Sequence, residues 1–187
     1  NSDVVERMIL KLEKLQDVGI LGPKVVGLKG ERQSPEPYYS FFHRYFLRYW
    51  LYPFFPRKIK NRFLKIEYTQ QAKEGEHYKV MGSFFLVGAQ DFVEAGMMDP
   101  KTFLYAEEAI LTERMKEINK SVYYFPEVAV LHEHGATISK NASSNKINML
   151  QFESESYYYH KYKGIPSWFI SLGKKSLLLY NYLKSKK

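Results

Sequence analysis

Residues 81–114 read M-G-S-F-F-L-V-G-A-Q-D-F-V-E-A-G-M-M-D-P-K-T-F-L-Y-A-E-E-A-I-L-T-E-R, and residues 122–139 read V-Y-Y-F-P-E-V-A-V-L-H-E-H-G-A-T-I-S. The apolar strings at 84–87, 122–125 and 128–132 have the length and composition of strands, as does 78–81 just upstream. Between them, residues 90–95 suit one or two helical turns ended by Gly96. Residues 107–119 suit a longer helix with Ile110, Leu111, Met115 and Ile118 on one side. Strands alternating with helices predict an α/β fold.

Upstream, Val5, Met8, Ile9, Leu12 and Leu15 recur at helical spacing, which predicts a helix over 3–17 with Asp3 as N-cap and Gly19 as its end. A short buried strand follows at 20–26, broken by Gly22-Pro23, and residues 27–37 read as a loop. Residues 41–65 hold ten aromatics interleaved with Arg44, Arg48, Arg57, Lys58, Lys60 and Arg62, and Pro53 and Pro56 divide them into short helical pieces. Residues 67–76 are polar and read as a mobile connection. Residues 135–145 read as a polar loop, and 147–162 and 166–183 as helices, the second with Pro166 in its first turn. The expected domains are 1–140, with a basic aromatic insertion at 38–76, and a helical extension at 141–187.

The composition limits the chemistry. The 187 residues suffice for one ordinary core. Cysteine is absent, which excludes disulfides, thiolate metal sites and cysteine nucleophiles, and fits a reducing compartment. No signal-peptide pattern opens the chain, and its apolar stretches fall short of the roughly 20 residues that span a bilayer. The chain opens at Asn1 without an initiator Met, as expected of a fragment or a processed product. The net charge of +8 is uneven: residues 41–65 carry seven Lys or Arg and no acid, and the residues after Glu155 carry seven Lys and no acid. Anionic surfaces should meet these two segments. The 16 Tyr and 13 Phe suit sugar stacking, a membrane interface or a partner surface.

Glu107 and Glu108 open the long helix. Adjacent helical side chains point about 100° apart, so the two acids face different surroundings. One can face a pocket and act as general base for a hydroxyl nucleophile, or both can form a solvated acidic first turn. His132 and His134 share one face if their strand continues. The zinc-protease pattern is excluded, because Ala136 stands where its second His would be. Asn119-Lys-Ser121 and Asn141-Ala-Ser143 fit the glycosylation sequon and carry little weight in a chain without a visible signal peptide.

In their order, these pieces resemble the second half of the family-2 inverting nucleotide-sugar glycosyltransferases, of the bacterial polysaccharide and rhamnosyltransferase kind. Asp91-Phe92, Gly96-Met97-Met98-Asp99, Phe103-Leu104-Tyr105-Ala106-Glu107-Glu108, Arg114, Tyr124, Pro126 and His132 carry the resemblance over almost sixty residues. It implies the acceptor-side half of a GT-A fold, a mixed sheet flanked by helices with further C-terminal helices, with Glu108 as catalytic base and Glu107 orienting the acceptor or the base. It implies acceptor contacts at Gly82, Ser83, Tyr105 and Arg114. Asn1-Ser2-Asp3 is similar to the family's metal-binding motif, so Asp3, with His132, would serve a Mg2+ or Mn2+ ion at the diphosphate. The donor-binding half would then lie before Asn1. This chain departs from the pattern at Glu108, where the family usually has Asp, and at Ile110, where many members carry another acid.

The function implied is transfer of a sugar from a nucleotide-sugar donor to a saccharide or lipid-linked acceptor. The basic aromatic segment either packs as core, against the missing half or the C-terminal helices, or makes a peripheral membrane contact, which would place the protein in the cytoplasm at the inner face of the cell membrane. Two other classes fit parts of the sequence. A catalytically incomplete membrane-surface scaffold fits the Asp-to-Glu departure. A nucleic-acid-binding module fits the charge and the aromatics, yet no RNP-type motif, glycine-rich clamp or helix-turn-helix spacing is present, so no nucleic acid is expected.

Overall fold

The computed structural model describes residues 2–102, 104–133 and 144–186. In chain order the helices are α1 (Ser2–Leu12), α2 (Arg57–Phe63), α3 (Ile66–Gln71), α4 (Ala89–Glu94), α5 (Glu107–Glu117), α6 (Ser144–Lys163) and α7 (Ser167–Ser185). A π-helical segment, His43–Leu51, and a 3-10 turn, Tyr52–Phe54, precede α2. The strands are β1 (Val18–Val26), β2 (Gly75–Glu76), β3 (Leu86–Val87) and β4 (Ser121–Leu131). Two compact units result. The first is Asn1–Tyr38, Glu67–Pro100 and Glu107–Ala136; the second is Tyr39–Ile66, Lys101–Ala106 and Thr137–Lys187. The division differs from a boundary at residue 140, because the basic aromatic segment groups with the C-terminal helices.

The first unit is an α/β layer structure on a mixed sheet of order β2-β4-β1-β3. β4 runs parallel to β1, while β2 and β3 pair antiparallel at the edges. Residues 18–23 of β1 are all buried, as a strand paired on both sides requires. Alternation assigns its side chains to two faces. Ile20, Val122 and Tyr124 pack with Val80, Leu111 and Met115 beneath α5. Leu21, Phe125 and Val128 pack with Met8 of α1. Each such apolar side chain contributes about 1.5–3 kcal/mol on burial.

Proline lacks the N–H that a central strand needs. Pro23 pairs with Phe125 and the next residue, Lys24, pairs with Ala129, so residues 126–128 bulge out of the ladder. Pro126 lies inside that bulge. The interruptions expected at Gly22-Pro23 and at Pro126 are thus one shared irregularity within two continuous strands.

Other boundaries differ from the expected ones as well. α1 stops at Leu12, a turn carries the chain to Asp17 at φ 56, and Gly19 lies within β1. Of residues 78–81, Lys79 makes one bridge, to Glu36, and no strand forms there. Residues 67–76, expected to be mobile, hold most of α3 and β2. Their polar side chains bond outward, Thr69 Oγ1 to the Pro35 carbonyl at 2.8 Å and Gln70 Nε2 to the Arg32 carbonyl at 2.9 Å. Glu74 receives both Lys11 at 2.5 Å and the Tyr123 hydroxyl at 2.9 Å. The sequon at 141–143 lies outside the described residues, as does most of the loop expected at 135–145.

The second unit is helical, and its core is aromatic. Phe41, almost fully buried, meets the rings of Tyr45 at 4.9 Å, Tyr159 at 5.3 Å and Phe169 at 5.5 Å. A methyl group on Gly173 of α7 would sit 2.4 Å from Phe41 Cζ, so only glycine admits this ring. Ser176 of α7 donates to the Tyr45 carbonyl and accepts from Trp50 Nε1, both at 2.7 Å. Arg44 pairs with the buried Glu155, which also accepts the Tyr45 hydroxyl at 2.6 Å and Gln151 Nε2 at 2.7 Å. Desolvation works against the Arg44 charge, and Glu155 more than offsets it, so the guanidinium pKa rises. The aromatic segment divides its rings. Phe41, Tyr45 and Tyr52 are core, while Phe42 and Phe54 face out.

Candidate active site

The first turn of α5 is placed by three glycine contacts made along β1 and beyond it. A methyl on Gly19, near the start of β1, would lie 2.6 Å from Met115 Sδ. One on Gly22 would lie 2.5 Å from Val80. One on Gly82, two residues after Val80, would lie 1.9 Å from Glu108 Oε1. α5 therefore runs back along β1, and its glutamates arrive toward the carboxyl ends of the parallel pair, the edge where open α/β sheets hold ligands. Residues 79–82 are fixed by the Glu36 N–H bonding to the Lys79 carbonyl at 2.9 Å and the Met81 N–H bonding to Ser34 Oγ at 3.2 Å. Gly82 and Ser83 are exposed.

Tyr105 and Ala106, the two residues before α5, both have φ 67. Left-handed backbone at two successive non-glycine residues costs on the order of 1–3 kcal/mol each, and such strain concentrates at functional sites. Glu107 and Glu108 are half-buried. Burial pushes the Glu107 carboxyl up, its own backbone N–H lowers it, the Glu108 charge raises it, and Lys79 lowers it. Lys79 Nζ is itself 2.9 Å from Glu36. The pair thus divides two properties of a base. Glu108 touches the exposed Gly82-Ser83 turn, and Glu107 has the raised pKa.

Arg114, expected at the acceptor, donates from Nη1 to the carbonyls of Gly96 at 2.7 Å and Met97 at 2.8 Å. Its Nη2 meets the buried Asp99 at 2.9 Å. Gly96 at φ 80 and Met97 at φ 58 form the turn that ends α4, so Arg114 ties that turn to α5. Tyr105 is half-buried and is grouped with the second unit.

Asp3 and His132 fall toward the same edge as the glutamates. Arg7 of α1 pairs with Glu127 at 3.5 Å and Lys11 lies over Phe125 and Tyr123, so α1 runs against β4 and Asp3 lies past Glu127 toward its carboxyl end. His132 follows β4 and bonds through its N–H to the Val26 carbonyl at 2.9 Å. Asp3 is exposed and His132 half-buried. Among the described residues no group of three His, Asp or Glu side chains could hold a metal ion. Asp3 and His132 therefore do not fit a complete Mg2+ or Mn2+ site by themselves. His134 and Phe103 lie outside the described residues.

Lys79, Ser34 and Glu36 are not marked by the sequence. They reach the site through one bridge between distant loops, and no local motif signals such a bridge. No family model, no curated protein and no solved structure matches the chain.

Proposed function

We propose that the chain is the acceptor-side part of an inverting glycosyltransferase with a GT-A fold, transferring a sugar from a nucleoside-diphosphate donor to a saccharide or lipid-linked acceptor. The observation that carries this reading is the contact of the Glu108 carboxylate with the exposed Gly82-Ser83 turn, at the first turn of a helix entered through strained backbone. In the reaction, the acceptor hydroxyl gives its proton to Glu108 as its oxygen bonds to the sugar's anomeric carbon. The bond from that carbon to the diphosphate breaks, and the nucleoside diphosphate leaves. Gly82 and Ser83 line the approach of the acceptor. Glu107 orients Glu108 or the acceptor. Arg114 acts as a positioning residue through the 96–99 turn. Asp3 and His132 would contribute to a metal–diphosphate end only with ligands from elsewhere.

The test is sugar transfer from labelled nucleotide sugars in native-host membranes. The wild-type protein is expected to transfer from one of them with inversion at the anomeric carbon, and Glu108→Gln is expected to lower that transfer by about 10²–10⁴. Retention of configuration, or undiminished turnover by Glu108→Gln, would overturn the reading.

A further inference from the structure

Helix α7 is amphipathic in the reverse of the usual sense. Its buried side carries Gly173, Ser176 and Asn181 along with Leu177. Its outer side carries Trp168, Leu172, Leu178, Leu179, Tyr182 and Leu183, exposed by between 43% and 66%. At about 100° per residue, Trp168, Leu172, Leu179 and Leu183 fall within roughly 60° of one another. Single exposed leucines are ordinary, whereas six large apolar groups on one helical arc mark a surface that something covers. The inversion has a cause within the unit. The inward face must admit the Phe41 ring and bond Trp50 and the Tyr45 carbonyl, and those tasks select glycine and serine.

Charge identifies what covers the arc. Lys174 borders the arc and Lys175 and Lys186 fall within it, all three are exposed, and α7 contains no acid. Lys186 lies over the Tyr182 ring at 4.6 Å. The whole second unit carries seventeen Lys and Arg against two Glu. Leucines and a tryptophan bordered by lysines match the two layers of an anionic bilayer surface, acyl chains below and phosphates above. No described helix is long and apolar enough to cross a membrane, so the match is to a helix lying in the interface.

We infer that the outer face of α7 docks the chain on anionic phospholipid, with Trp168, Leu172, Leu179 and Leu183 entering the acyl boundary and the lysines meeting the headgroups. This goes beyond the proposed transfer reaction, which names no membrane-contacting surface. Its test reads bilayer binding without turnover, so the two can fail separately.

The test is flotation of the purified chain with vesicles of phosphatidylcholine alone, or containing about one third phosphatidylglycerol. The wild type is expected to float with the anionic vesicles only and to be released by about 0.5 M salt. Leu172→Glu/Leu179→Glu changes two exposed positions, and its circular dichroism should match wild type while vesicle partitioning falls about tenfold or more. Lys174→Glu/Lys175→Glu should weaken binding to a similar degree. No flotation of the wild type, or flotation unchanged in the leucine variant, would overturn the inference. A lipid-free dimer broken by that same variant would also overturn it, and would assign the face to a second copy of the chain.

Discussion

The first unit carries eighteen Asp and Glu against eleven Lys and Arg, and the second carries two against seventeen. The first packs a mixed sheet between helices and presents carboxylates at one edge. The second packs aromatic rings around Phe41 and turns lysines and leucines outward. A net charge of +8 therefore describes neither. Averaged over the chain, it suggests a basic protein that meets anions anywhere. Resolved by unit, it describes an acidic unit and a strongly basic one, and only the basic one attracts anions.

The difference can be broken most severely at Arg44. Arg44→Met leaves Glu155 buried without its partner and is expected to cost about 3 kcal/mol in urea denaturation. Arg44→Met/Glu155→Leu should recover most of that loss, because the buried charge goes with its partner. If the double variant is no better than the single one, the pair does not organise the aromatic unit as described.

The acidic unit is tested next at Gly82. A methyl there would stand 1.9 Å from Glu108 Oε1, the end of a flexible side chain, so Gly82→Ala should displace the carboxylate at little cost in stability. Sugar transfer should fall with it. A methyl added at Gly30 would meet nothing within 4 Å, but Gly30 has φ 80, so Gly30→Ala controls for backbone strain and should leave transfer unchanged. Arg114→Met removes the bonds to Asp99, Gly96 and Met97 and should cost about 1.5–3 kcal/mol by thermal unfolding.

The smallest expected effect sharpens the electrostatic side. Lys11 and Glu74 are 2.5 Å apart, and the hydrogen bond from Lys11 is the main cause holding the Glu74 carboxyl below its usual range. The Lys11 pKa is raised, first through the same bond. A depressed carboxyl stabilises the fold above its unfolded pKa, and that stability is lost as pH falls through the folded value. A raised lysine loses its share only as pH rises through its folded value. Lys11→Met should thus cost at most about 1 kcal/mol at pH 7, and the gap to wild type should close below about pH 4. A gap unchanged between about pH 7 and about pH 3 would show that packing of the lysine stem, not charge, is what is lost.

What can be read from sequence here is local. The start of α5 at Glu107, the stop at Gly96 and the helix after Pro166 each follow from residues within one turn of the event. The shared bulge of Pro23 and Pro126 is not legible, because each proline's tolerance depends on a partner about a hundred residues away. For the same reason the bridge from Lys79 to Glu36 has no local signature. Periodicity shows that residues 166–183 form a helix but not which side turns inward, since Phe41 decides that from a distant segment. Residues 67–76 read as mobile because their anchors are polar side chains reaching to Pro35, Arg32, Lys11 and Tyr123, and apolar periodicity cannot register such contacts.

The proposed chemistry rests on a division of labour between two adjacent glutamates, and parallel single-turnover rates for Glu107→Gln and Glu108→Gln test it most directly. With Glu108 as the base, Glu108→Gln should lose about 10²–10⁴ in the transfer step while still binding the nucleotide sugar, and Glu107→Gln should lose less and keep a measurable rate. The opposite order, with Glu107→Gln inactive and Glu108→Gln near wild type, would contradict the account and move the base to the residue whose pKa is raised.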